Sequence, residues 1–138
     1  MAEYTKPLPT PDAETRPFWD ACKEHELQGQ RCTACEKFRW PPSPLCPHCR
    51  SWDFEWAKLP GTGEVYSYVV VQYSAVPAFA AEMPYVVARI TLDGTDGAMR
   101  LTSNVIGCPP DDVKPGLRVE VVFEDVTSEV TLPKFRPK

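Results

Sequence analysis

Histidine is scarce in this chain: there are only two, His25 and His48, and neither stands in a recognisable pattern with a nucleophilic serine or cysteine. Glycine is sparse as well, 7 in 138 residues, and no phosphate loop, dinucleotide glycine pattern or nucleophile elbow is present. Positive charge is in the minority. Fifteen Lys and Arg against 19 Asp and Glu leave a net charge of −4, which disfavours nucleic acid, whose binding rests on cations neutralising phosphates. No apolar run approaches the roughly 20 residues of a membrane span. The amino-terminal stretch Met1 to Pro11 is polar and proline-studded, without the basic start and apolar core of a signal peptide. Together these absences point to a cytoplasmic protein that carries no catalytic machinery of its own.

Proline and cysteine, by contrast, are plentiful. Sixteen prolines cluster at 7–11, 41–47, 109–115 and near the carboxyl terminus, marking loops and extended connectors. Four of the 6 cysteines form two Cys-x-x-Cys pairs, Cys32/Cys35 and Cys46/Cys49, with 10 residues between the pairs. In a reducing compartment such pairs bind metal more often than they form disulfides. Ligand number, pairing and loop length match a four-thiolate zinc site, and with all four positions filled by protein the Zn2+ is structural. Four thiolates around a divalent cation leave a net charge of about −2, so cations are needed nearby; Lys37, Arg39 and Arg50 are placed for that in sequence. Iron of the rubredoxin kind uses the same ligands and stays open, although Glu36 and Arg50 stand where glycines usually follow such pairs. His48 reads as an exposed residue between two ligands, Cys22 as helix core and Cys108 as loop.

The chain divides near residue 60. Residues 1 to about 14 look extended, either disordered or laid along a partner. A helix is predicted over Thr15 to Leu27, with Thr15 as N-cap, Pro17 in the first turn, Phe18, Trp19 and Cys22 on one face, and Gly29 as the stop. The cysteine segment from Gln30 to Trp56 has no amphipathic period, so metal must order it. Beyond Gly61-Thr-Gly63 the texture changes to Val-, Tyr- and Thr-rich runs separated by turns. Five strands are predicted: Glu64–Tyr73, Tyr85–Leu92, Ala98–Val105, Leu117–Phe123 and a short one from Val130 to Leu132. This pattern fits a mainly β chain, an N-terminal helix and zinc-binding cysteine segment in 1–59 followed by a five-stranded OB-fold barrel in 60–138. A short sandwich reads much the same. The segment Ser74 to Pro84 is too rich in proline and alanine for a strand. It is either an apolar loop that lies on a partner or an acyl chain, or a loop or short helix closing the barrel end.

Several of these stretches together resemble the DUF35 family: Phe18-Trp19 in the leading helix, the four cysteines with Pro41-Pro42 between them, Gly61-Thr-Gly-Glu-Val-Tyr-Ser67, Pro84-Tyr85, Asp111-Asp-Val-Lys-Pro-Gly116 and Leu132-Pro-Lys-Phe-Arg136. The resemblance implies an N-terminal rubredoxin-like zinc ribbon joined to a C-terminal OB-fold, in hetero-oligomeric association with a thiolase-fold enzyme acting on acyl-CoA thioesters: a thiolase, a synthase or a steroid side-chain aldolase. It implies a scaffold that stabilises the enzyme and helps shape the CoA passage, the catalytic residues lying on the partner. Tyr73, Pro77, Phe79 and Met83 are the expected contacts with partner or acyl-CoA. The alternative from the residues alone is a single-stranded nucleic-acid-binding module that uses Tyr66, Tyr68, Tyr73 and Phe79 for base stacking.

Overall fold

The computed structural model describes residues 4–138; the expectation of an extended arm over residues 1–14 therefore falls partly outside it, at 1–3. Helix α1 (Arg16–Lys23) is shorter than predicted. Pro17 sits in its first turn, where a missing N–H costs nothing. Thr15 holds the N-cap position, but its hydroxyl donates back to Asp12 Oδ1 at 3.0 Å. The same carboxylate oxygen accepts the backbone N–H groups of Glu14 at 3.0 Å and Thr15 at 2.8 Å, so Asp12 holds the entry turn. These bonds, the Thr15 N–H first, keep the Asp12 carboxyl below its usual range.

The helix stops at His25, not Gly29. His25 takes a left-handed φ of 59°; its N–H reaches Cys22 O at 2.9 Å while Glu26 N–H reaches Ala21 O at 2.9 Å. That is a Schellman cap with histidine in the place glycine usually fills. The His25 ring stacks on Phe123 at 5.2 Å between centroids, and Nε2 lies 3.0 and 3.1 Å from the two Asp125 oxygens, contacts that offset the backbone cost. Gly29 lies instead inside a strand, where a Cβ would stand 2.9 Å from Phe38 Cδ1 and 3.1 Å from Met99 Sδ. It is glycine because the side chains of Phe38 and Met99 occupy the space a Cβ would need.

The cysteine segment is framed by a small antiparallel sheet in the order β2-β1-β3, formed by β1 (Gln28–Cys32), β2 (Phe38–Arg39) and β3 (Phe54–Lys58). The strands β4 (Thr62–Val71), β5 (Tyr85–Leu92), β6 (Arg100–Val105), β7 (Arg118–Asp125) and β8 (Thr131–Pro137) then close a barrel in the order β4-β5-β6-β8-β7. The third and fifth barrel strands run parallel, meeting at Val105 and Phe135, as OB topology requires; the OB-fold expectation holds and the sandwich does not. A bulge between Val65 and Ser67 bends β4. It pairs with β7 only over Thr62–Glu64 and follows β5 as far as Val71.

Several boundaries differ from expectation: the first barrel strand spans Thr62–Val71 rather than 64–73, and the fourth spans Arg118–Asp125 rather than 117–123. β6 begins at Arg100 because Ala98 N–H closes a turn onto Thr95 O at 3.0 Å. The last strand runs on to Pro137, its two prolines having hidden the pattern. Ser74 to Pro84 contains a 3₁₀ turn over Pro77–Glu82, the short-helix alternative. Phe18, Cys22 and Leu27 share one buried cluster with Leu59, Val65, Ile90, Leu101 and Phe135, and Phe38, Trp40 and Trp56 pack against it. The core is therefore continuous across residue 60.

Candidate metal centre

Two short turns bring the sulfurs together. In the first, Glu36 N–H bonds Cys32 O at 2.9 Å and Cys32 N–H bonds Lys37 O at 2.9 Å; in the second, Arg50 N–H bonds Cys46 O at 2.9 Å and Cys46 N–H bonds Ser51 O at 2.9 Å. The residue after each pair must adopt a left-handed conformation to close its turn. Glu36 (φ 64°) and Arg50 (φ 65°) do so without being glycine, at a cost of about 1 kcal/mol each. The four Sγ atoms all lie within 4.8 Å of one another.

Cys32–Cys49 and Cys35–Cys46 are each 3.6 Å apart, Sγ to Sγ. A disulfide needs about 2.0 Å. A tetrahedron with metal–sulfur bonds of about 2.3 Å places its corners about 3.8 Å apart, so the set fits zinc and not a covalent link. The Cys35 N–H donates to Cys32 Sγ at 3.4 Å, the kind of bond that steadies a thiolate. Accordingly, Cys32 is held below the usual thiol range, first by that N–H. Burial pushes Cys46 up, but the N–H groups of Cys49 and His48 outweigh it and bring the thiol down to about 6. Cys49 accepts the Ser51 N–H, yet burial and the three neighbouring sulfurs push it up to about 12. Four sulfurs this close cannot all ionise without a cation among them.

A clamp holds the second turn against the first. The Ser43 carbonyl accepts Gln30 Nε2 at 2.9 Å, Arg39 Nε at 3.0 Å and Arg39 Nη2 at 2.7 Å, while Ser43 N–H donates to Gln30 Oε1 at 2.9 Å. Gln30 pairs with Arg39 across the sheet, and the two-residue strand period puts Cys32 on the same face as Gln30. Arg39 is buried, its guanidinium 5.4 Å above the Phe54 ring centroid, and its Nη1 has no partner among the described residues. A buried cation in the same small sheet as Cys32 complements a cluster of net charge about −2.

The other singled-out residues lie elsewhere. Tyr73 and Pro77 are exposed and Met83 half-buried; Phe79 stacks on Tyr85 at 5.7 Å. Lys6 reaches from the amino-terminal arm to pair with Glu82, its Nζ 5.8 Å from the Phe79 centroid, so the arm already lies on this turn. Cys22 is buried and pushed up to about 12 by that burial, and Cys108 is raised by burial and by the Asp112 carboxylate. Neither is an activated nucleophile.

Residues 19–55 match the rubredoxin-like zinc ribbon domain of ChsH2, and residues 56–124 match the ChsH2 C-terminal OB-fold domain. A DUF35 domain-containing scaffold protein of Methanocaldococcus jannaschii is 40% identical over 113 residues, 80% of this chain and 77% of that protein. The chain belongs to the DUF35 family. Its ribbon is thus of the zinc kind, where the ligand set alone had left iron open. This DUF35 chain is also 42% identical over 132 residues to a protein of Thermomonospora curvata named a probable enoyl-CoA hydratase alpha subunit, matching 96% of the chain but 40% of that relative's length. It is 32% identical to the 3-oxo-4,17-pregnadiene-20-carboxyl-CoA hydratase alpha subunit of Mycobacterium tuberculosis, of which it covers 38%. Among solved structures, a chain of the Ltp2-ChsH2(DUF35) aldolase is 41% identical with a TM-score of 0.85, covering 94% of this chain and 98% of that one. A Sulfolobus solfataricus DUF35 protein at 16% identity and TM-score 0.64 shares the fold.

Proposed function

We propose that this DUF35 chain is a zinc-stabilised, non-catalytic scaffold subunit that associates with a thiolase-fold enzyme acting on acyl-CoA thioesters, with an aldolase of the Ltp2 type the best-supported partner. Cys32, Cys35, Cys46 and Cys49 hold the zinc. The metal, when bound, supplies structural cross-linking between the two turns and no open coordination position. The observation that carries the reading is the likeness to the DUF35 chain of the Ltp2-ChsH2 aldolase, which runs along almost the whole of both chains. The site chemistry agrees: a closed thiolate set, two further thiols raised by burial, and a histidine already engaged by Asp125. Tyr73, Pro77, Phe79 and Met83 belong to the contact region.

The test is to mix the purified chain with the Ltp2 subunit and follow complex formation by size-exclusion chromatography, alongside thioester turnover by each component and by the mixture. The chain alone is expected to turn over nothing, and the mixture to co-elute with higher aldolase activity than Ltp2 alone. Turnover by the isolated chain, or failure to co-elute, overturns the proposal.

A further inference from the structure

Strand β4 has an open side. Beyond Glu64 it pairs with β5 alone, so between Tyr66 and Val71 alternate N–H and C=O groups face away from the barrel with no backbone or side-chain partner among the described residues. Natural sheets guard such an edge with charge, proline or a cover. Here the guard is missing: no charged residue occurs from Val65 to Ala81, in a chain that is 25% charged overall. Most side chains along the edge and just past it are apolar or aromatic, and several are exposed, with Tyr66 56%, Val69 59% and Tyr73 83% accessible. Unsatisfied backbone groups in register, flanked by apolar side chains, are what an extended segment of another chain can complete.

The charge beside this edge says what that segment carries. Across the sheet, Ser67 is in register with Arg89 and Arg89 with Thr102, while Arg100 is opposite Thr91. Arg89 donates to Thr102 Oγ1 at 3.3 Å; Arg100 donates to Thr91 Oγ1 at 3.3 Å and stacks 4.0 Å from the Tyr66 ring centroid. Neither arginine has an ion-pair partner among the described residues, whereas Arg118 on β7 and Arg136 on β8 each have one. In an acidic protein, two unpaired arginines beside an uncharged edge form a half-site. A second copy of this chain cannot complete it by pairing edge to edge, since it brings no carboxylate between Glu64 and Glu82.

We infer that the β4 edge from Tyr66 to Val71 receives an extended segment of the partner subunit by antiparallel or parallel strand addition, with apolar residues on the Tyr66–Val69 surface and carboxylates reaching Arg89 and Arg100. This deepens the scaffold reading and rests on it.

The experiment uses the full chain with the Ltp2 subunit and reads two things. Hydrogen exchange of the β4 amides is measured in free chain and complex, and affinity is measured for the parent, Val69→Lys and Arg100→Glu. Val69 is exposed and Arg100 half-buried, and unchanged far-UV circular dichroism confirms the fold of each variant. The expected result is slowing of exchange at residues 66–71 by tenfold or more on complex formation, with at least tenfold weaker binding for each variant. A complex that forms with the 66–71 amides as fast as in the free chain, and with both variants binding like the parent, overturns strand addition while leaving the scaffold reading intact. No complex with the parent chain removes both. Concentration-dependent protection of the same amides in the isolated chain would reassign the edge to self-association, and low-salt binding of a single-stranded oligonucleotide that Arg100→Glu abolishes would reassign the face to nucleic acid.

Discussion

Replacing Phe18 by alanine tests how the helix and ribbon are joined to the barrel. The ring is 1% exposed and meets Trp19 at 5.1 Å and Trp40 at 4.8 Å between centroids. It also belongs to the buried cluster that contains Leu101 and Phe135 of the barrel. Truncating a buried phenylalanine costs about 3–5 kcal/mol, because the lost transfer energy adds to that of the cavity left behind. Against a typical total of about 5–15 kcal/mol, that is a large fraction. For a chain of this size each kcal/mol moves the melting temperature by about 3–4 °C, so a fall of about 10–20 °C is expected. All 4 tryptophans, Trp19, Trp40, Trp52 and Trp56, precede the barrel. Tryptophan fluorescence therefore follows the helix and ribbon, while far-UV circular dichroism is dominated by the barrel strands. With one shared core the two signals fall together and by the same amount. Were the fluorescence transition to drop while the dichroism midpoint stayed at the parental value, the shared-core argument would be refuted and two independent modules restored.

Three further outcomes are expected. Cys46→Ser should reduce zinc from stoichiometric to trace by elemental analysis and fray the 46–51 turn; retention of one zinc per chain would show that three sulfurs suffice. Glu36→Gly exchanges a left-handed cost of about 1 kcal/mol for a glycine entropy cost of about 0.5–1 kcal/mol. Its chemical-denaturation midpoint should therefore stay near the parent's, whereas Glu36→Val, β-branched at φ 64°, should be clearly destabilised; equal midpoints for the two would contradict the turn geometry. The Asp93 carboxyl is held below its usual range by the Arg118 guanidinium and then by the Thr62 hydroxyl. A depressed carboxylate pKa contributes stability above the unfolded value of about 3.9 and loses it as pH falls below that. Asp93→Asn should thus flatten the acid limb of the stability–pH curve below about pH 4. The effect should be no more than about 0.5 kcal/mol, since Arg118 and Asp93 are partly exposed, and an unchanged acid limb would deny the pair a role.

The metal site was legible because its chemistry is written as spacing: two Cys-x-x-Cys pairs need no tertiary information to be recognised. The barrel was legible where alternation is clean, as in Tyr85–Leu92, which the structure reproduces from end to end. Its last strand was not, because Pro133 and Pro137 interrupt the signal while still occupying ladder positions opposite Phe123 and Val119. The ribbon strands were invisible for a different reason. β1 reads Gln-Gly-Gln-Arg-Cys, and its buried residues are a glycine under Phe38, a glutamine bonded to Ser43 and a thiol in the sulfur cluster. None of these is hydrophobic patterning, and each depends on a partner remote in sequence. The helix end was missed because glycine is the usual left-handed residue and His25 does that work through Asp125 and Phe123, distant in the chain.

The grip of Gln30 and Arg39 on the Ser43 carbonyl bears on how the metal arrives. Ser43 lies three residues before Cys46, so the chain linking the two turns is pinned close to its far end without any help from sulfur. Closing a loop costs entropy, and part of that closure is done here by the Gln30 amide and the Arg39 guanidinium. An incoming zinc ion therefore meets a cage with its two halves already facing each other, and each captured sulfur sees the next at high effective concentration. The same arrangement lets a departing ion leave the halves in place, so that metal exchange can proceed at the cluster while the core beneath it stays folded.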